Sequence, residues 1–197
     1  MVLFSSQKIE AFYEFSKFCN KVQNDNGFAI TYIRSDHGRE FENIYFEDYC
    51  NEHGIDHNFS ALGTPPLNGV VENKNRTLQE MARIVLNENN LPKYFWAEAV
   101  NTSCYVLNRV LLRPILKKTP YELWKNKKPN ISYFKIFGCK CFILNTKDNL
   151  GKFVAKSDVG IFLGYSSSSK AFRVFNKRTM IVKESIHVIF YEFNNSL

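Results

Sequence analysis

After Lys125 the spacing of apolar residues changes period, and this constrains the fold more than any other feature of the chain. Before it, apolar residues recur at helical spacing, in segments separated by short β-prone runs. Beyond it come five short β-prone runs and no helical stretch. Helical spacing is read over residues 7–22 (Ile9, Phe12, Phe15, Phe18), stopped by Asn24, Asp25, Asn26 and Gly27. It recurs over 41–53, capped by Gly54. Thr64-Pro65-Pro66 opens a long helix whose stripe is Val71, Leu78, Met81, Ala82, Val85 and Leu86. Leu91-Pro92 opens another, through Trp96, Val100, Cys104 and Leu107, and Thr119-Pro120 a short one. Strands are expected at 2–4, 28–33 and 55–59, then at 136–144, 159–165, 172–175, 180–182 and 186–190. The first part is thus an α/β layered domain, residues 1–125. A polar basic linker, 126–135, follows, and then a small barrel or sandwich, 136–192.

Charge divides the chain differently. Residues 1–112 carry 10 basic and 14 acidic side chains, and residues 113–156 carry 11 basic and 2 acidic, a local net of +9 within a total of +7. A concentrated basic block points to a polyanion partner, although a solvated Lys-rich linker would look the same. Hydrophobic residues make up 45%, which excludes a disordered chain. No apolar run approaches the roughly 20 residues of a membrane span, and no secretory signal is recognisable, so no membrane partner is expected. The five cysteines show no metal-site spacing, and reduced intracellular thiols fit best. Cys139 and Cys141 are expected on opposite faces of a strand.

Two carboxylates stand out by position. Asp36 follows a predicted strand and Glu72 lies early in the long helix, with 35 residues between them. Either alone has an ordinary reading: Asp36 as a turn residue or helix cap, Glu72 as a solvated helix residue. Asn75, Arg76, Gln79 and Arg83 share the helical face of Glu72, as a phosphate track or simply a solvent face. Asn68 and Gly69 either shape a nucleic-acid-contacting loop or form a plain helix-start turn.

The segment Ile33-Arg34-Ser35-Asp36-His37-Gly38-Arg39 resembles that around the second catalytic Asp of Copia-type retrotransposon integrases, within the Pol polyprotein. Asn68-Gly69-Val70-Val71-Glu72-Asn73-Lys74-Asn75-Arg76 resembles that around the catalytic Glu, and the 35-residue spacing agrees. Leu91–Ala99, Thr119–Trp124, Phe137-Gly138-Cys139 and Gly160–Tyr165 resemble later family segments. The resemblance implies a partial RNase H-like core, then a Src-homology-3-like β-barrel. It also implies strand transfer with magnesium or manganese on Asp36 and Glu72, and DNA contacts by Asn68, Asn75, Arg76, Gln79, Arg83, Lys125, Lys127 and Lys128. Element and target DNA as partners, homo-oligomers, and a nuclear place of action, otherwise cytoplasmic, follow from it. The match begins near the family's third strand, so the first catalytic Asp and the zinc domain are expected to be missing, and the chain alone to be inactive or nearly so. The alternatives are a catalytically dead DNA-binding or scaffolding remnant and a host-recruited protein. His37, Arg39, Pro66, Leu67 and Asn73 depart from the family pattern.

Overall fold

The structure is a computed structural model that describes residues 10–35, 37–39, 41–59, 65–145 and 155–191, with the side chains of residues 26, 65–68, 70 and 71 outside the description. It forms two compact units, residues 3–76 and residues 77–197 with 1–2, and the division falls inside helix α3 (Pro65–Glu88). The expected strand at 2–4 lies outside the described residues.

In the first unit, α1 (Glu10–Asn26) runs to the expected stop, where Gly27 takes φ 70 and its N–H donates to Gln23 O at 2.8 Å. Strand β1 (Tyr32–Ser35) is parallel to β2 (Asp56–Phe59), with Tyr32 opposite Asp56 and Ser35 opposite Phe59. The strand expected at 28–33 therefore lies further along the chain. Ile30 N–H is instead taken by the Gln23 side chain at 3.0 Å, so residues before Thr31 stay off the ladder. Helix α2 (Ile44–Glu52) starts three residues later than its apolar spacing suggested. Asn43 caps it by accepting from Phe46 N–H at 3.0 Å, and a capping side chain outranks periodicity in setting a helix start. Phe46, Cys50 and Ile55 form the buried centre, ringed by Phe12, Phe15, Phe41 and Tyr49.

In the second unit, the rest of α3 leads through a 3-10 turn (Lys93–Phe95) into α4 (Trp96–Val110) and then α5 (Pro120–Lys125). The α5 start is closed by a capping box: Thr119 Oγ1 accepts from Glu122 N–H, and the Glu122 carboxylate accepts from Thr119 N–H. Five antiparallel strands follow: β3 (Lys140–Leu144), β4 (Ser157–Tyr165), β5 (Phe172–Asn176), β6 (Ile181–Ser185) and β7 (Val188–Tyr191), in the order β6-β5-β4-β3-β7. Expected and observed strands agree in number and order. The first starts later than 136 because Gly138 turns at φ 84, and the fourth starts after Met180, which sits at φ 57 in the β5–β6 turn. A bulge between Phe162 and Gly164 breaks the register of β4 against β5 and bends the strand.

Two clusters hold this unit. Ala82 and Leu86 of α3 and Ala99 and Val100 of α4 pack with Phe137, Leu163 and Phe175 of the sheet region. Phe162, Tyr165 and Val174 pack with Cys139, Cys141 and Ile143. The expectation that Cys139 and Cys141 face opposite ways is wrong: both are buried, 1% and 0% exposed, in the same cluster. Residues two apart on an extended chain share a face. None of the five cysteines is in a disulfide and all are buried, and burial pushes the Cys141 thiol up to about 12.

Helix α4 is keyed to β4 and β5. Thr102 Oγ1 donates to Leu163 O at 2.7 Å, and Tyr105 stacks on Tyr165 with centroids 4.1 Å apart. Arg173 donates from two nitrogens to the two Glu98 oxygens, at 2.8 and 2.5 Å. A Cβ on Gly164 would overlap Thr102 Oγ1 outright, which explains glycine there, at φ 144. The basic segment 126–135 lies between α5 and the sheet, as a connection containing the short 3-10 turn Ile131–Tyr133.

Candidate functional site

Parallel pairing of β1 and β2 brings the carboxyl ends of both strands to one edge, the usual location for chemistry on such sheets. Asp36 is the next residue in the chain after Ser35 and lies outside the described residues, so the expected approach of Asp36 and Glu72 does too. The described neighbours at this edge are ordered by ring packing and hydrogen bonding. Ser35 Oγ is 2.8 Å from His57 Nε2, and burial lowers the His57 pKa. The His37 ring stacks on Phe59, centroids 5.0 Å apart and planes 16° apart, and its Nδ1 lies 3.7 Å from Glu42. His37 is thus packed as a loop residue, with its ring used for stacking.

Glu72 lies on α3 and is exposed, as are Asn75 and Arg76 before the division of the chain and Gln79 and Arg83 after it. Leu78, Ala82 and Leu86 are buried and Met81 and Val85 half-buried, so from Leu78 onward the helical spacing separates polar from apolar positions as expected, while the Val71 side chain lies outside the described residues. The Arg76 guanidinium donates to Asn73 Oδ1 at 2.6 Å, one turn back. An Asn at 73, where the resemblance would lead one to expect Arg, thus orients Arg76. Asn68 lies within α3, and its side chain is outside the description. Among the described residues, no three or more His, Cys, Asp or Glu side chains are grouped to hold a metal.

Lys125 ends α5, and Asn126 takes φ 52 as its left-handed cap. Lys127 and Lys128 follow, and all three lysines are exposed. They are joined by cations that sequence reading did not single out as contacts: Arg113, Lys117, Lys118 and Lys140 are also exposed. Their membership in the +9 block was the available signal. What sequence could not supply was their exposure, which for Arg113, Lys117 and Lys118 comes from their place on the α4–α5 connection.

The residues 139–196 match the family model described as "Retroviral polymerase SH3-like domain". Over 94% of its length the chain is 38% identical to the "Retrovirus-related Pol polyprotein from transposon TNT 1-94" of Nicotiana tabacum, of which it spans 14%. It is 33% identical, again over 94%, to the corresponding polyprotein of transposon RE2 from Arabidopsis thaliana, of which it spans 13%. Among solved structures, the HTLV-2 integrase catalytic core domain in complex with magnesium is 22% identical with a TM-score of 0.42, covering 57% of this chain and 68% of that one. A simian T-cell lymphotropic virus intasome with a PP2A regulatory subunit gives 14% and 0.48, covering 92% and 66%. Among the described residues no helix is long and apolar enough to cross a membrane.

Proposed function

Since the chain belongs with the retrovirus-related Pol polyproteins of plant transposons, as one segment of them, we propose that it acts on DNA as the latter part of a Copia-type integrase. The observation that carries this reading is a pair of acidic motifs, around Asp36 and Glu72, within a match that runs along 94% of the chain. The reaction class is strand transfer, in which a 3′-hydroxyl of element DNA attacks a phosphodiester of target DNA. Element and target DNA are the partners, in a homo-oligomer, and the nucleus is the place of action.

The donor set suits a hard divalent ion, because carboxylate oxygens are what magnesium and manganese take. When bound, such an ion would neutralise charge on the reacting phosphate. Glu72 offers an exposed carboxylate from a rigid helix, and Asp36 would supply the second from the strand edge. Asn75, Arg76, Gln79 and Arg83 would hold phosphates along α3, and Asn68 would shape the approach at its first turns. Lys125, Lys127 and Lys128 would add non-specific affinity. Two of the family's three acids have counterparts in the matched motifs. Two carboxylates hold one ion weakly, so the chain on its own is expected to bind DNA and transfer strands poorly.

The test combines a strand-transfer assay in magnesium or manganese with manganese binding followed by electron paramagnetic resonance, on the chain and on Glu72→Gln. Weak manganese binding that Glu72→Gln removes supports the site. Robust transfer that survives Glu72→Gln would sink it. DNA affinity that does not change with salt would sink the nucleic-acid reading itself.

A further inference from the structure

The connection between α4 and α5 is a closed turn with an apolar tip and a cationic rim. On one side Leu111 N–H donates to Leu107 O at 2.9 Å, and on the other the Thr119–Glu122 capping box fixes the start of α5. Arg113 and Lys118 form an antiparallel bridge: Arg113 N–H donates to Lys118 O at 2.9 Å, and Lys117 N–H to Arg113 O at 2.8 Å. Lys117 sits at φ 49, a region that non-glycine residues occupy only when the surroundings hold them there. The Arg109 guanidinium lies 3.4 Å from the Tyr105 ring centroid and 4.3 Å from that of Tyr121, clamping the two helices at the base of the turn.

The tip stands free of the unit it belongs to. Ile115 is 93% exposed, and Leu111, Leu112 and Leu116 are 59%, 57% and 53% exposed. Four large aliphatic side chains in six residues is more contiguous apolar surface than a water-facing turn normally shows. Arg113, Lys117 and Lys118 around them are exposed as well. Between residues 99 and 147 the one acid is Glu122, whose carboxylate is taken by the capping box. The turn therefore presents apolar atoms at its point and positive charge on its flanks. The surface complementary to that is negative outside and apolar within, as the phosphates and stacked bases of a duplex are.

We propose that the turn 113–118 is a DNA wedge: Ile115 enters between base pairs and opens the step, while Arg113, Lys117 and Lys118 hold the flanking phosphates. Apolar side chains placed this way unstack a base step and kink the duplex. A tip already closed by backbone hydrogen bonds loses little freedom on insertion. The wedge rests on the nucleic-acid reading above and adds to it a bend in the DNA and the residue that makes it.

The experiment uses the full chain and a duplex with a fluorescence-transfer pair at its ends and 2-aminopurine beside a central TA step. Binding should bring the ends together and raise the 2-aminopurine signal. Ile115→Ser should abolish both and weaken binding by about tenfold, the loss expected for one large aliphatic side chain. At 93% exposure the substitution spares the fold. Lys117→Ala with Lys118→Ala should instead lower the slope of log affinity against log salt by about two. If Ile115→Ser binds and bends the duplex as the parent does, the wedge is wrong and the nucleic-acid reading survives. If the parent chain fails to bind the duplex at all, both are wrong. Loss of self-association, or of binding to anionic vesicles, with unchanged bending would assign the tip to a second copy or to a lipid surface and overturn the wedge.

Discussion

The two compact units bury their side chains to different degrees, and the candidate catalytic motif at Asp36 lies in the more thinly packed one. In the unit from Thr77 onward, β4 is buried along most of its length, and five antiparallel strands share two clusters with residues of α3 and α4. In the unit up to Arg76, β1 and β2 are four residues each, alternate exposed and half-buried, and lean on a cluster centred on Phe46, Cys50 and Ile55. In β4, β5 and β6, antiparallel strands joined by short turns pair with their neighbours in sequence. A parallel pair needs a crossover, here through α2, and its burial depends on what the helices cover. Chemistry at strand ends needs open edges, so a site-bearing region with less buried surface is physically consistent.

The largest expected effect is in the dense unit. Phe162 is fully buried, with the rings of Tyr165, Phe172 and Phe190 edge-on to it. Phe162→Ala should cost about 3–5 kcal/mol in urea unfolding. Hydrogen exchange on the parent chain should find β4 and β5 amides protected well beyond those of β1 and β2. Equal protection in both sets would break the comparison.

Gly164→Ala comes next. The added Cβ overlaps Thr102 Oγ1 and the φ of 144 disfavours any side chain, so a loss of about 2–3 kcal/mol is expected. Thr102→Ala in the same chain should recover only part of it, because the backbone strain remains. Full recovery would show that the clash alone selects glycine.

A double-mutant cycle of Glu98→Gln and Arg173→Met should give a coupling of about 1–2 kcal/mol, since the pair is bidentate and Glu98 is largely buried. A value near zero would mean that the apolar clusters and the Thr102–Leu163 hydrogen bond seat α4 on the sheet without help from the ion pair.

The smallest effect is pH-linked. Asp158 receives two hydrogen bonds from the Arg178 guanidinium and one from Asn176, which hold its carboxyl down at about 2. A carboxyl lowered on folding stabilises the native state fully above its unfolded value of about 3.9, and that contribution is lost as pH falls through about 2. Thermal melts should therefore show the parent losing stability between about pH 4 and pH 2, and Asp158→Asn losing less over that interval. Parallel curves would remove Asp158 from the acid response.

Much of this protein was legible as sequence. Helical spacing located α1, α3 and α4, and the Thr119-Pro120 pair located α5, but periodicity put the α2 start at 41 and missed the Asn43 cap. The motifs around Asp36 and Glu72 supplied the resemblance on which the proposed chemistry rests, because a motif is a property of residue type and order. Local signals suffice where the interaction closes within about one helical turn. Tertiary structure decided what depends on pairing. It moved β1 to Tyr32–Ser35, because the ladder with β2 begins there. It put Cys139 and Cys141 in one cluster, joined Glu98 to Arg173 across 75 positions of sequence, and left Ile115 standing out on a closed turn. Register, burial and partners across the chain are set by the packing of distant segments, and no spacing within one segment carries that information.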